Sequence, residues 1–333
     1  MKSLVIPAAG QLAFADIPRP VPTAYQALVR MEACGFCNST DHKLVEGTMY
    51  WAPPFPLILG HESVGRVIEV GARVTTFRPG DLVTRPIYIA PPEGCDYQPA
   101  AGGFAEYGLV HDLPAMLADG DDSLANDYAA LRQMVLPPQM SALDGALAIS
   151  LSETASVLAF LPTVRHRTVL VAGTGIVGVA FCHWLKLAGA RVIVLGRRRE
   201  RLEKALAFGA DVAISTLDAG WQSQILQAAG GKVDGMLEAT GDAALATAML
   251  DMLTPGGFAS AYGVPPTGTT YPAPWETSTV EEHLSFPWVA DLFVRGWLKS
   301  ADWLSHTWTF DEALAAYQQT VSGDVFKGVV TFP

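Results

Sequence analysis

The sequence predicts an α/β protein in which a doubly wound parallel sheet follows a region of strands and loops. Three observations carry that expectation. The chain has 333 residues, and at about 150 residues per domain this length fits two domains. From Ala142 onward, short apolar strands alternate with helical stretches, the pattern of a parallel sheet covered by helices. Finally, Gly173-Thr174-Gly175-Ile176-Val177-Gly178 stands between one of these strands and the helix after it.

Taken in order, residues 27–31 and 63–70 are short, β-branched runs bounded by Gly or Pro, and 81–84 and 103–110 resemble them, so all four read as strands. Prolines at 53, 54, 56, 91 and 92 mark ordered loops. Residues 142–161 are mostly Ala, Leu, Ile and Ser. Asp144 and Glu153 interrupt this run, and a carboxylate near a bilayer centre costs about 2.5 to 3.5 kcal/mol. The run therefore reads as a buried helix ended by Leu161-Pro162, in which Glu153 needs a partner. Strands are expected at Thr168–Ala172, 191–195, 212–214, 235–238 and 258–262, with helices at 177–187 and 199–208 among the segments between them. A last strand is expected at 329–332.

Composition narrows the function classes. Half of the residues are hydrophobic and 17% charged, which excludes intrinsic disorder for the bulk of the chain. The net charge of −11 argues against a nucleic-acid or anionic-membrane binder, since phosphate contact needs a basic surface. Met1-Lys2-Ser3-Leu4 leads directly into a strand pattern with no apolar signal segment. Four cysteines are too few for a disulfide framework, so a reducing cytoplasm is expected. The expected partner is a small molecule.

The glycine run has a physical reading. Gly173 permits a tight turn, Gly175 lets backbone approach a pyrophosphate, and Gly178 allows close packing of helix on strand. The pyrophosphate then meets free N–H groups at the helix N-terminus, around Thr174, Ile176 and Val177. The next strand discriminates between dinucleotides. An NAD site usually ends it with a carboxylate for the ribose 2′-OH, but here it ends Leu195-Gly196, followed by Arg197-Arg198-Arg199. Gly196 removes the charge that would repel a 2′-phosphate, and guanidinium forks suit phosphate oxygens. Three cations at a helix N-terminus oppose its dipole, a cost an anion seated there would offset. NADP(H) is favoured over NAD(H).

Two further clusters carry chemistry: Cys34-Gly35-Phe36-Cys37-Asn38-Ser39-Thr40-Asp41-His42 and Gly60-His61-Glu62. Cys and His are good zinc ligands, and a catalytic zinc takes three protein ligands and leaves one position open. Cys34 and Cys37 form a CxxC with no second pair to close a structural site. A redox CxxC is the competing reading, without the expected βαβ setting.

In their fixed order, these motifs resemble the zinc-dependent medium-chain dehydrogenase/reductase (alcohol and polyol dehydrogenase) family. The likeness extends through Gly80-Asp81-Leu82-Val83, Gly102-Gly103-Phe104-Ala105-Glu106-Tyr107, Glu238-Ala239-Thr240-Gly241 and Pro255-Gly256-Gly257, so it covers nearly the whole chain. It implies a mostly β, GroES-like catalytic domain of residues 1–140 plus 288–333, with a Rossmann domain inserted at 141–287. It also implies Cys37 and His61 as ligands of one catalytic zinc, with Glu62 a direct or exchangeable ligand. Leu151-Ser152-Glu153-Thr154-Ala155 is similar to the segment in which the polyol branch supplies a carboxylate ligand, which would give Glu153 its partner. Between residues 85 and 102 stands only Cys95, so the family's four-cysteine structural zinc is expected to be absent.

The proton relay has two registers. Either Ser39 and His42 are the relay groups with Thr40 in the place of the usual Asp, or one residue is inserted and Thr40-Asp41 is the usual pair. The implied reaction is hydride transfer between NADP(H) and an alcohol or polyol, or its aldehyde or ketone, by a homodimer or homotetramer. The alternatives are a zinc-free NADPH-dependent reductase of activated C=C bonds, whose members lack the Cys and Gly-His-Glu pair, and a non-enzymatic NADPH-binding protein. Cys34, Cys95, Cys182, His111, His166, His183, His283 and His306 read as structural. Tyr50, Trp51 and Tyr88 suggest an apolar or ring-bearing substrate pocket. The tryptophans at 275, 288, 297, 303 and 308 read mostly as packing or subunit interface.

Overall fold

A computed structural model describes residues 1–333. The chain divides into two compact units. One is discontinuous, Met1–Ile149 with Phe286–Pro333, and the other is Ser150–Ser285. Each break falls inside a helix, Ala142–Ala159 and Glu282–Val294.

Ser150–Ser285 holds a six-stranded parallel sheet. Its spatial order is Val212–Ser215, Arg191–Gly196, Thr168–Ala172, Val233–Glu238, Leu253–Ala261, Glu276–Thr277, which in chain order is 3-2-1-4-5-6. This doubly wound order places a topological switch between Thr168–Ala172 and Val233–Glu238, beside the glycine run. Val169, Leu170, Val171 and Ala172 are all buried because a parallel sheet covered on both faces needs apolar side chains on both. Trp184, in the helix Ile176–Leu187, buries its ring and donates its indole N–H to Thr154 Oγ1 at 3.0 Å.

The discontinuous unit is mostly β. A four-stranded sheet runs Ala13–Asp16, Lys2–Ile6, Leu57–Ile58, Gln98–Pro99. A second sheet runs His306–Thr309, Gly328–Thr331, Gln26–Gly35, Glu62–Val70, Leu82–Thr84, with Tyr107–His111 also paired to Gln26–Gly35. The C-terminal strand Gly328–Thr331 thus lies antiparallel against residues 33–35. Phe36, Phe104, Leu44, Phe310 and Tyr317 form the core beneath it.

The expected strand 103–110 is shorter in the structure, spanning Tyr107–His111. Gly103 instead donates its N–H to the Gly60 carbonyl at 2.7 Å. A Cβ there would lie 2.6 Å from Ser63 Cβ, and residues 104–106 bond to Lys2, Leu4 and Leu59, with an isolated bridge between Ser3 and Ala105. Residues 142–161 form the helix Ala142–Ala159, long and apolar enough to cross a membrane by composition alone, yet 67% buried within the protein.

Candidate active site

The strand Gln26–Gly35 and the start of Glu62–Val70 are antiparallel, with Gly35 opposite Glu62. That register brings the turn after Gly35, which carries Cys37, beside His61. Gly35 leaves room for the Glu62 carboxylate: a Cβ there would sit 2.5 Å from Oε2, so that side chain would have to shift. Cys37, His61 and Glu62 consequently present donor atoms within 4.8 Å of one another. A thiol, an imidazole and a carboxylate at this spacing suit zinc.

Asp41 holds the group in shape. It lies in the short helix Thr40–Val45 and is 1% exposed. One carboxylate oxygen accepts the Cys37 backbone N–H at 2.8 Å, and the other stands 3.2 Å from His61 Nδ1. A carboxylate this close to the ring is the carboxylate–histidine pairing that orients and tunes metal ligands. Burial opposes charge on His61, but Asp41 and Cys37 outweigh it and raise its pKa well above the ordinary imidazole value. Arg85, also buried, donates to the His61 carbonyl at 2.5 Å. Asp41→Ala is expected to weaken zinc binding about 10- to 100-fold, read as the zinc dissociation constant in a chelator competition.

Glu62 has a second partner. Lys327, 2% exposed, pairs with Glu62 Oε2 and donates to the Phe36 carbonyl at 3.3 Å. Burial works against its charge, but Glu62 and Cys37 prevail and its pKa is raised. Sequence reasoning missed Asp41's contact with His61, and it missed Arg85 and Lys327. The available signal was a lone lysine in the apolar run Val325-Phe326-Lys327-Gly328-Val329; Arg85 left none.

Among the relay candidates, Ser39 precedes the helix Thr40–Val45 and its hydroxyl accepts from Lys43 Nζ at 3.2 Å. His42 is exposed, with Nδ1 3.4 Å from the Tyr317 hydroxyl. Burial, with the nearby carboxylates of Glu46 and Asp41, pushes the Tyr317 phenol up to about 12, so it stays protonated. No hydrogen bond links Ser39 or Thr40 to His42. Glu153 belongs to the other unit, where its carboxylate accepts the Tyr262 hydroxyl at 3.0 Å. Tyr88, expected in a pocket wall, is 3% exposed; it packs on Val5, Ile17 and Ile58 and donates to the Tyr107 carbonyl. It is a core residue because its phenol finds that acceptor inside the fold. Tyr50 and Trp51 are exposed.

In Ser150–Ser285 the three glycines divide the work. Gly173 has φ +114°, a conformation L side chains rarely adopt. A Cβ on Gly178 would lie 2.0 Å from the Gly173 carbonyl oxygen, whereas one on Gly175 would meet nothing within 4 Å. The space over Gly175 is open, and Gly175 caps the helix Ile176–Leu187 without a side-chain hydrogen bond. The N–H groups of Ile176 and Val177 are thus placed for an anion. A Cβ on Gly196 would lie 2.6 Å from Thr174 Cγ2, so a side chain at 196 would have to displace that of Thr174 in the glycine turn. Arg197 and Arg198 are exposed at the start of the helix Arg199–Ala207, and Arg199 pairs with Glu203 at 3.3 Å.

Comparison with known proteins gives concordant matches. Residues 23–117 match the family described as alcohol dehydrogenase GroES-like domain, and residues 177–284 match zinc-binding dehydrogenase. The chain is similar to the NADP-dependent isopropanol dehydrogenase of Thermoanaerobacter brockii, 29% identical over 278 residues that cover 77% of this chain and 74% of that one. It is similar to glucose 1-dehydrogenase of Thermoproteus tenax, 30% identical over 264 residues, covering 76% and 72%. Among solved structures, the alcohol dehydrogenase TADH from Thermus sp. ATN1 superposes with a TM-score of 0.81 at 25% identity, over 100% of both chains.

Proposed function

Because the chain belongs to the zinc-dependent medium-chain alcohol/polyol dehydrogenase family and so acts on CH–OH groups, we propose that it transfers a hydride between NADP(H) and an alcohol or polyol, or the matching aldehyde or ketone, at one zinc. The observation that carries this reading is the convergence of Cys37, His61 and Glu62, with His61 oriented by Asp41. A CxxC redox site or a bare NADPH-binding protein has no use for that group.

A zinc held there would supply Lewis-acid polarisation of the substrate oxygen, and a nicotinamide bound by the chain would supply the hydride chemistry. The protein's own residues do the rest. Cys37 and His61 would hold the metal, with Glu62 as an exchangeable donor. Asp41 keeps the imidazole in register, and Lys327 restrains Glu62. Thr40 or Ser39, with His42 exposed at the surface, would conduct the hydroxyl proton toward solvent; the contact of Asp41 with His61 favours the register in which Thr40-Asp41 is the pair. The balance is alcohol plus NADP⁺ giving carbonyl, NADPH and one proton.

In the nucleotide site Gly173, Thr174, Gly175, Ile176, Val177 and Gly178 cradle the pyrophosphate, while Arg197 and Arg198 meet the 2′-phosphate beside Gly196. The relatives named for NADP point the same way. Replacing both Arg197 and Arg198 by Ala is expected to weaken NADPH binding about a hundredfold and leave NADH binding within about threefold, given charge-assisted bonds of roughly 1.5 to 3 kcal/mol. Fluorescence titration with both nucleotides measures it, and equal losses for the two would refute the assignment. The four free cysteines fit a reducing, cytoplasmic setting. A homo-oligomer is proposed on the family's pattern. Metal analysis, together with an NADPH absorbance assay over alcohols, polyols and aldehydes, tests the whole reading; turnover by fully metal-free protein would overturn it.

A further inference from the structure

Glu238 ends the strand Val233–Glu238 and is 0% exposed. A buried carboxylate is costly unless it is fully hydrogen-bonded, and Glu238 is surrounded by donors. Oε1 accepts the Thr240 N–H at 2.6 Å and the Thr240 hydroxyl, while the Gly241 N–H reaches both oxygens at 3.2 and 3.0 Å. The Tyr271 hydroxyl closes on Oε2 and also lies 2.8 Å from the Gly263 carbonyl. Burial and the Glu238 charge both raise the Tyr271 phenol, so it remains a donor. The Glu238 carbonyl oxygen in turn accepts the N–H groups of Tyr262 and Gly263 at 2.8 and 3.1 Å.

One residue therefore ties three segments together: the turn 239–241, the turn at 262–263, and Tyr271. These segments lie at the carboxyl ends of the strands, where doubly wound sheets bind nucleotides. They also meet the glycine run: a Cβ on Gly173 would touch Thr240 Cγ2 at 3.1 Å, and one on Gly263 would lie 2.5 Å from Glu238 Oε2. In the order 3-2-1-4-5-6, the strands after the switch serve the second mononucleotide half, the nicotinamide side.

We propose that Glu238, braced by Tyr271, is a positioning residue that shapes the 239–241 and 262–263 turns to receive the nicotinamide half of the dinucleotide. This rests on the dinucleotide site proposed above. All the donors match an ionised acceptor, so a glutamine of equal size would set its own NH₂ against them and release part of the turn.

The test uses zinc-loaded full-length protein carrying Glu238→Gln or Tyr271→Phe. It measures the dissociation constants of NADPH and of adenosine 2′,5′-bisphosphate, which lacks the nicotinamide half. The expected result for Glu238→Gln is NADPH binding weakened about tenfold or more, with adenosine 2′,5′-bisphosphate unchanged within about twofold. Tyr271→Phe, which keeps the carboxylate and its backbone donors, is expected to show the same pattern at about threefold and serves if Glu238→Gln does not fold. Equal weakening of both probes would show a general loss of domain structure and overturn the proposal, as would unchanged NADPH binding in both variants. Failure of the wild-type protein to bind either probe would instead overturn the dinucleotide site itself.

Discussion

Cys37→Ser and His61→Ala are each expected to lower kcat at least about a thousandfold while NADPH still binds. The magnitude follows from the chemistry: Lewis-acid polarisation is worth several kcal/mol, and about 1.4 kcal/mol is tenfold in rate. Serine cannot supply a thiolate, and alanine at 61 removes the imidazole that Asp41 orients. The nucleotide site should be spared, since the glycine turn lies in Ser150–Ser285 and Cys37 and His61 in the discontinuous unit. Steady-state turnover, zinc content per chain and NADPH fluorescence titration together read the result. Turnover that survives with zinc lost would refute the metal mechanism. Loss of zinc, turnover and NADPH binding together would point to collapse of the fold.

Lys327→Met is the second large effect expected. The ammonium and Glu62 form an ion pair whose side chains are 1% and 4% exposed. Removing one partner of a buried pair leaves an uncompensated charge, at a cost of about 3 to 5 kcal/mol. The loss should be largest in EDTA-treated protein and smaller with zinc loaded, because a cation beside Glu62 offsets part of the bare charge. The double variant Lys327→Met with Glu62→Gln should recover most of the metal-free stability, since two neutral groups leave no buried ion. Urea melts of the two single variants and the double variant form a cycle that isolates the pair. A single-variant loss below about 1 kcal/mol would show that the pair carries little.

How far the sequence could be read depends on how local each feature is. The glycine run was legible because strand, turn and helix are consecutive, and Gly173 and Gly178 each meet a requirement of the immediate backbone. The arginines at 197–199 were legible because a local charge reversal stands out in an acidic chain. Gly196 was read only as a missing carboxylate; its crowding against Thr174 depends on how two neighbouring turns abut. Tyr88 was misjudged because an aromatic in a Pro-rich stretch looks the same whether it faces a ligand or a core. Only the Tyr107 carbonyl, brought close by chain pairing, satisfied its hydroxyl inside.

The sequence by itself determined the alternation of strand and helix, the dinucleotide turn, the Cys37 and Gly-His-Glu motifs and the family they belong to. The alternation and the motifs are set by periodicity and by residues within a few positions of each other, and the family follows from the order of those motifs along nearly the whole chain. Only the tertiary structure decided which charges pair. Lys327 meets Glu62 across 265 residues, Tyr262 meets Glu153 across 109, and Tyr271 meets Glu238 across 33. The physical reason is that burying a charge demands a partner within about 3 Å. Which residue comes that close is set by strand register and sheet order, and neither is written in the sequence around either member of the pair.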